Sequence, residues 1–340
     1  MKTDIIRNAE LGRLTTFGLA ARATELAVLE DPAQLPALLD CNRPVLMLGG
    51  GSNTVFLGDF PGRIILNRLR GIDMETVDDR TVRVTVAGGE HWHGLVRWCL
   101  DQQLHGMENL AMIPGLVGAA PMQNIGAYGV ELADVLEAVQ VFDRAQEKSC
   151  WLEAAECRLS YRDSRFKTQD RNRFVILAVR LLLSRQFQPV MRYDSLSQAL
   201  ARAGLDQPTP RQIAAAVMRI RRHRLPDPAR LANAGSFFKN PVMPATRDAE
   251  ILALEPDLVN WPQSDGSVKI SAAWMIERLG WKGKSLGRVG VYHGHALVLV
   301  NHGNAVAAEL LRLIEAIRND VGSRFGLDLE VEPNLIGDPG

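Results

Sequence analysis

Residues 233–241 read NAGSFFKNP, a hydroxyl set between a glycine and two phenylalanines and followed by a lysine and an asparagine. Ser, Lys and Asn carry polar groups that need partners, so the segment does not read as core. Adjacent Phe residues do not suit a surface loop either. Taken alone, Ser236 reads as a satisfied turn hydroxyl where a strand enters or leaves a core. A second group is LGGGSN, in which Gly49 and Gly51 have G-x-G spacing. Its sixth position is Thr54, and the β-type run Thr54-Val55-Phe56-Leu57 follows where a dinucleotide fingerprint needs a helix. A strand–glycine loop–strand is either a tight hairpin or a nest whose successive N–H groups hold phosphate. The third is IPGLVGAAPMQNIGAYG, Ile113 to Gly129, inside a stretch from Trp98 to Asp143 without one Lys or Arg. Its glycines and prolines fix an exposed backbone, and Gln123 and Asn124 add amide donors and acceptors. Such a loop binds a large, partly apolar cofactor through main-chain groups, or else packs on itself as an Ω-loop.

The cations and carboxylates are less specific. Arg162, in YRDSRFK, lies among β-type neighbours, where a guanidinium is paired or binds an anion; a surface ion pair is the simpler reading. Arg219, Arg221, Arg222, His223 and Arg224 close a helix, where cations suit the macrodipole and a diphosphate is the alternative. His91 and His93, and His293 and His295, lack HExxH spacing and cysteine support, so no metal site is expected. Glu330 and Glu332 read as a solvated strand face, and no GxSxG elbow surrounds Ser236.

These groups need elements to hold them. Pro44 to Leu48 reads as a buried strand, Val82 to Ala87 as another, and Trp92 to Leu104 as an amphipathic helix. A strand-rich section runs to about residue 190. Thr209-Pro210 opens a helix as N-cap and first residue, and it ends before Leu225-Pro226-Asp227-Pro228, the best domain boundary. Another helix covers Ser271 to Leu279 and stops at Gly280. A third spans Ala305 to Phe325, with Asn304 as N-cap and Gly326 past its end. Its Val306, Leu310, Leu313, Ile317, Val321 and Phe325 form one buried face. His295 to Val300 reads as a strand, and Leu327 to Glu332 alternates strictly, its carboxylates on one face.

The whole chain sets the bounds. Its 340 residues suit two or three domains, and 46% hydrophobic with 23% charged residues is ordinary for a soluble globular protein. Lys+Arg and Asp+Glu balance at 39 each, so no global field favours nucleic acid or an anionic membrane. Cys41, Cys99, Cys150 and Cys157 form no CxxC pair and fit a reducing compartment. The first 18 residues lack an apolar signal region, and no apolar run is long enough to span a bilayer. A soluble cytoplasmic protein is expected.

Together these stretches resemble the UDP-N-acetylenolpyruvoylglucosamine reductase family. The likeness runs through LTTFGL, LGGGSNTVFL, ENLAMIPGLVGAAPMQNIGAYGVEL, ECRLSYRDSRFK, LPDP, NAGSFFKNP, DGSVKISAAWMI, HALVLVN and LEVEPNLIG, in order. The insertion from Trp261 to Gly266 resembles the longer of the family's two forms. The resemblance implies an α+β fold. A two-part FAD-binding region of the vanillyl-alcohol-oxidase type would take residues 1–70 and 71–224, and an α+β substrate domain residues 225–340. The cofactors would be FAD and NADPH. Gly49, Gly50, Gly51, Ser52 and Asn53 would hold the FAD diphosphate. Ile113, Pro114, Gly115, Gly118, Ala119, Ala120, Gln123, Asn124, Gly126, Ala127 and Tyr128 would wrap the flavin. The family's catalytic Arg, Ser and Glu fall on Arg162, Ser236 and Glu332. Its substrate-binding positions fall on Tyr193, Arg224, Asn240, Trp261 and His295. Arg224 stands where a Lys often contacts the substrate phosphates, and Trp261 where a Tyr is expected. Pro333-Asn334 follow Glu332 in place of a familiar Val-Arg pair.

The implied reaction is reduction of the enolpyruvyl group of UDP-N-acetylglucosamine enolpyruvate by a monomer with no nucleic-acid or membrane partner. Arg162 would hold the carboxylate, and a protonated Glu332, aided by Glu330, would hydrogen-bond the developing enolate. Ser236 would protonate C2, helped by Lys239 and the glycine-exposed backbone. A flavin oxidase of the same superfamily is a rival, though it needs a base rather than a proton donor at the substrate. A nucleotide-sugar-binding protein without flavin is another, separated by the colour of the purified protein.

Overall fold

The computed structural model describes residues 4–263 and 265–338. The chain forms two compact units, both discontinuous in sequence. Unit 1 takes the residues up to Ala9, Ala23–Gly50 and Pro61–Arg222; unit 2 takes Glu10–Arg22, Gly51–Phe60 and the chain from His223 onward. The change after Arg222 lies two residues from the boundary expected at 224/225. The expected N-terminal subdomain, however, is divided between the units, because Glu10–Arg22 and Gly51–Phe60 join unit 2.

Unit 1 carries two larger sheets, one built from strands before Leu69 and one from strands after it, and a two-stranded sheet of Gly126–Ala127 and Val130–Glu131. In the first, Val45–Leu48 runs parallel to Phe60–Asn67. The second is antiparallel, in the order Lys148–Glu153, Leu136–Asp143, Phe174–Ser184, Thr81–Ala87, Ile72–Thr76. Thr81–Ala87 shows how pattern becomes packing: Val82, Val84 and Val86 alternate inward and are fully buried. The helix Trp92–Asp101 lays Trp92, Leu95, Val96 and Cys99 into the same core, and the helix Pro210–Arg224 adds Ile213, Ala214 and Val217. The first helix stops at Asp101, short of the expected Leu104. The second opens as expected, with the Thr209 hydroxyl accepting from the Gln212 N–H and the Gln212 side chain accepting from the Thr209 N–H.

Unit 2 holds an antiparallel sheet in the order Ala232–Ser236, Val298–Asn301, Val289–Val291, Ser285–Leu286. A three-stranded sheet of Val242–Pro244, Ser267–Ile270 and Asn260–Pro262 accompanies it, with Asn334–Ile336 pairing in parallel with Thr54–Phe56. Ser271 caps the helix Ala272–Arg278 by accepting from the Trp274 N–H. The long helix runs Ala307–Phe325 and buries Leu310, Leu313, Ile317, Val321 and Phe325, with Gly326 at φ +66 beyond it. Its start differs from expectation. Asn304 is left-handed (φ 54) and its carbonyl accepts from the Arg288 guanidinium, so it does not cap. Val306 takes the cap position, its N–H held by the Glu309 carboxylate at 3.0 Å, and its side chain is exposed rather than on the buried face.

Two further expectations change. His295, Ala296 and Leu297 precede the strand, which begins at Val298. Leu327 to Glu332 forms no ladder; Val331 alone bridges Phe238. Without a paired strand the alternation does not hold, and Glu330 is exposed while Glu332 is buried.

Candidate active site

Within unit 1 the two glycine-rich segments meet. A Cβ on Gly50 would lie 2.9 Å from the Gly115 Cα, and one on Gly49 would touch the Ala119 side chain at 3.5 Å. Gly118 approaches Gly88 as closely, with 3.0 Å from its would-be Cβ to the Gly88 Cα. Only residues without side chains allow backbones this near. Val117–Gln123, including Gly118, Ala119 and Ala120, coils as a 3-10 turn, with the Gly118 N–H on the Gly88 carbonyl and the Val117 N–H on that of Glu90.

Buried side-chain amides hold the rest of this loop. Asn124 is left-handed (φ 44) and buried, its Nδ2 donating to Glu131 (2.7 Å) and Ser160 O (3.3 Å) while its Oδ1 accepts from the Ala133 N–H (3.0 Å). With that amide engaged in the fold, Asn124 shapes the Gly126–Ala127 strand beyond it and offers a ligand little of its own side chain. Asn109 donates to Tyr128 O (2.8 Å) and Val190 O (2.9 Å). Ser164 anchors the neighbouring segment through its hydroxyl to Met122 O at 2.7 Å. Composition does not flag Asn109 or Ser164; burial identifies them.

Arg162 sits in a turn, not in the strand its neighbours suggest. Ser160 and Asp163 exchange backbone hydrogen bonds, and Arg162 adopts φ 55. A non-glycine residue held there is uncommon and costs of order 1–3 kcal/mol, a feature concentrated at functional sites. Its guanidinium donates to Gly126 O at 3.1 Å, so the loop backbone aims it. Tyr128 and Tyr193 make an edge-to-face pair, centroids 5.3 Å apart. Arg221 lies beside Tyr128 and Arg162, and its Nε is buried without a partner among the described residues. Burial lowers the basicity of that guanidinium, and the adjoining Arg162 adds to the effect.

Within unit 2, Ser236 and Glu332 are brought together. Ser236 ends its strand after a bulge, with Gly235 at φ +74 and the register shifting between Asn233 and Ser236. Asn233 fixes the bulge: its Oδ1 accepts from the Gly235 N–H and its Nδ2 donates to Leu231 O and to Pro226 O of the LPDP segment. Phe237 and Phe238 are buried, and Phe237 packs on Phe17 at 5.9 Å. The Phe237 N–H donates to Leu297 O (2.7 Å), and its carbonyl accepts from the Glu332 N–H (2.9 Å). The buried Glu332 is thereby tied to the residue next to Ser236. Lys239 and Glu330 take different places from those expected: they pair with each other, Nζ to Oε1. Glu330 is exposed, and the Lys239 ammonium is engaged in that pair.

The chain after Glu332 leads to the glycine loop. The Asn334 N–H donates to Asn53 O at 2.9 Å, and Asn334–Ile336 runs beside Thr54–Phe56, so Pro333-Asn334 carry the strand on. Gly51 has φ +64, and a Cβ there would lie 1.9 Å from Leu14 O. Only glycine fits there, since the left-handed backbone and the close approach both exclude a side chain.

The remaining positions occupy the same unit except Tyr193, which is exposed in unit 1. Asn240 accepts from the Ala272 N–H at 3.0 Å. Trp261 is half-buried beneath the Lys269 ammonium, 5.8 Å from its ring centre. His295 accepts the Leu297 N–H on Nδ1 at 3.2 Å, so the neutral ring carries its proton on Nε2. Burial, helped by Arg224 and Lys282, pushes its pKa down to about 4. Arg224 is exposed at its helix end.

Comparison with known proteins decides the family. A family profile described as UDP-N-acetylenolpyruvoylglucosamine reductase, C-terminal domain, matches residues 227–336, and one described as FAD binding domain matches residues 26–152. The reductase of that name from Paraburkholderia phymatum is 47% identical over 324 residues, covering 94% of each chain. The chain belongs to the UDP-N-acetylenolpyruvoylglucosamine reductase family. The reductase from Burkholderia cenocepacia is 46% identical over 336 residues, covering 97% of this chain and 96% of its own. A crystal structure of the reductase from Thermus caldophilus matches with a TM-score of 0.68 at 25% identity, over 99% of this chain and 100% of that one. As a member of this reductase family, the protein is a flavin-dependent oxidoreductase with an FAD-binding domain and a C-terminal domain of the reductase type.

Proposed function

We propose that the protein reduces the enolpyruvyl group of UDP-N-acetylglucosamine enolpyruvate to give UDP-N-acetylmuramate, a precursor of peptidoglycan, working in the cytoplasm as a monomer. The observation that carries this reading is the hydrogen bond from the Glu332 N–H to Phe237 O, which ties a buried carboxyl to the residue beside the Ser236 hydroxyl. A bound FAD, reduced by NADPH, would supply the hydride to C3 of the enol ether.

The chain's own residues handle the charge and the proton. Arg162, aimed by Gly126 O, holds the substrate carboxylate. Negative charge then grows on the carboxylate side as an enolate, and Glu332 donates a hydrogen bond to it while Arg162 opposes the charge directly. Ser236 gives its proton to C2. A hydroxyl is a weak acid, so this transfer needs the resulting alkoxide to be reprotonated quickly. The open space around Gly235, where a Cβ would meet nothing within 4 Å, leaves room for a substrate or water there. Phe237 and Phe238 fill the core beneath and keep the hydroxyl at the surface of the fold. The Arg224 guanidinium meets the substrate diphosphate, while Tyr193, Asn240, Trp261 and the Nε2–H of His295 orient the nucleotide sugar. The chain has three parts on this reading, FAD-binding subdomains over 1–70 and 71–224 and a substrate domain over 225–340; the larger sheets before and after Leu69 support the first two, apart from Glu10–Arg22 and Gly51–Phe60, which join unit 2.

Anaerobic visible spectroscopy tests the reading. NADPH is expected to bleach the flavin band, and the enolpyruvyl substrate to restore it. Ser236→Ala should bleach normally and nearly fail to recover with substrate. A flavin that only oxygen restores, or a mutant that recovers as fast as the parent, would overturn the assignment.

A further inference from the structure

The antiparallel sheet of unit 1 constrains the chain that carries Arg162. Lys148–Glu153 and Phe174–Ser184 both run antiparallel to Leu136–Asp143, one on each side of it, and so run parallel to each other. Parallel strands cannot be joined by a hairpin, and a helix is the usual crossover. Here the crossover holds one 3-10 turn, Ala154–Cys157, and residues 158–173 form neither helix nor strand. A connection of that length without regular structure is usually functional, and other contacts must fix it.

Side chains do so. Phe166 is buried in the core, edge-on to Phe174 with ring centres 6.0 Å apart. The Arg165 N–H donates to Cys157 O (3.1 Å) and its Nη1 to Glu156 O (3.0 Å), which closes the loop 157–165 at its base with Arg162 between the ends. Arg165 is itself held by Asp170, Nε to Oδ2 at 2.7 Å. The other Asp170 oxygen accepts from Arg173 Nη1 at 3.3 Å, and Arg173 Nη2 donates at 2.7 Å to Asp143, the last residue of the middle strand. Asp170 is buried, at 9% exposure. Burial alone would favour its neutral form, but Arg165 and Arg173 outweigh that and hold the carboxyl below its ordinary range. One buried anion thereby couples the closed loop to the sheet. Within that loop Arg162 holds φ 55, a conformation that persists only where its surroundings over-determine it. Gly126 O aims the guanidinium, and Arg165 with Asp170 fixes the backbone from which it starts.

We propose that Asp170, acting through Arg165, positions Arg162 for the substrate carboxylate, a role that rests on the reductase reaction proposed above. Asp170 meets no reacting atom; its charge keeps the base of the loop closed. Asp170→Asn preserves the size but offers a single oxygen and turns an NH2 toward one of the two guanidiniums, so one arm of the clamp is lost.

Anaerobic half-reactions of the FAD-loaded protein test this. In Asp170→Asn, bleaching by NADPH is expected at the parental rate, and reoxidation by UDP-N-acetylglucosamine enolpyruvate about tenfold slower. Asp170→Glu restores the charge and should come back to within about threefold of the parent. Arg165→Lys keeps a cation opposite Asp170 but loses the fork that reaches Glu156 O, so it should slow the same step should Asp170→Asn fold poorly. In an Arg162→Ala background, itself slow to reoxidise, Asp170→Asn is expected to change the rate by less than about twofold, because groups that act through one another are not additive. An ion pair that served the fold alone would slow both backgrounds alike. Trypsin reads the turn without substrate: cleavage after Arg162 should be about fivefold faster in Asp170→Asn than in the parent. Parental reoxidation in Asp170→Asn, equal slowing with and without Arg162, or unchanged cleavage after Arg162 overturns the proposal. An Arg162→Ala variant that reoxidises as fast as the parent would instead overturn the role of Arg162 itself, and the positioning role with it.

Discussion

The loop from Ile113 to Gly129 and the strand end at Ser236 are the two surfaces proposed to meet cofactor and substrate, and they are built in opposite ways. The loop is held by polar side chains on its far side and by backbone-to-backbone contacts at Gly50–Gly115 and Gly88–Gly118. The strand end is held by apolar packing of Phe237 and Phe238, with one bulge and two backbone bonds setting the direction of Ser236. A surface that offers main chain to a ligand cannot also use that main chain in a ladder, so buried amides must fix it. A surface that offers one hydroxyl can leave its backbone in the sheet and let the core fix it. The two sites should therefore fail differently when damaged.

The sharpest contrast lies between two left-handed glycines. A Cβ on Gly51 would fall 1.9 Å from Leu14 O, whereas one on Gly235 would meet nothing within 4 Å. Gly51→Ala is expected to cost about 4 kcal/mol or more, since clash with backbone adds to the left-handed penalty. Gly235→Ala should cost only about 1–2 kcal/mol, the penalty alone. Urea unfolding of both variants checks the pair, and equal losses would remove the distinction. Flavin content should drop with Gly51→Ala and hold with Gly235→Ala.

Next come the two modes of support. Phe237→Ala opens a cavity in a fully buried position and should lose about 3–5 kcal/mol. Asn124→Ala leaves the Ala133 N–H and Ser160 O without their partner and puts alanine at φ 44, for about 3 kcal/mol. Their stability losses overlap, so function separates them. Asn124→Ala should release FAD on gel filtration, and Phe237→Ala should keep FAD while slowing substrate-driven reoxidation. If both shed FAD alike, the loop and the strand end are not separately supported.

Much of this organisation is legible in the sequence because it rests on local rules. Thr209 as a cap, Gly326 after the long helix, and the strand over Val82 to Ala87 follow from short-range geometry, and the structure shows each. What could not be read depends on distant partners. Asn304 has the right chemistry for a cap, yet Glu309 reaches back to Val306 and Arg288 claims the Asn304 carbonyl. The LDLEVE alternation promised one acidic face, but no strand pairs along it; Lys239 draws Glu330 outward while Phe237 O holds the Glu332 backbone. The glycine segments were legible as unusual backbone. That Gly50 needs Gly115 as its neighbour was not, because two glycines 65 positions apart leave no periodic trace.

The smallest effect at neutral pH, and the one most specific to unit 2, concerns His295. Its ring is neutral when folded, with a pKa of about 4 set by burial and by Arg224 and Lys282, while Glu277 acts weakly in the other direction. An unfolded chain would protonate this residue near pH 6.5. Between those values the unfolded state binds the extra proton, so stability falls as pH falls through the window and is unaffected above it. Protonating the folded ring must also break the bond from the Leu297 N–H, since Nδ1 is the free acceptor. His295→Asn keeps an acceptor within reach of that N–H and does not titrate. Near pH 7.5 the variant should match the parent within about 0.5 kcal/mol. Toward pH 4 the parent should lose up to about 3 kcal/mol more than the variant, less whatever solvent screening removes. Parallel pH profiles would show that the folded ring takes up its proton over the same range as the unfolded chain, so that burial does not hold it neutral.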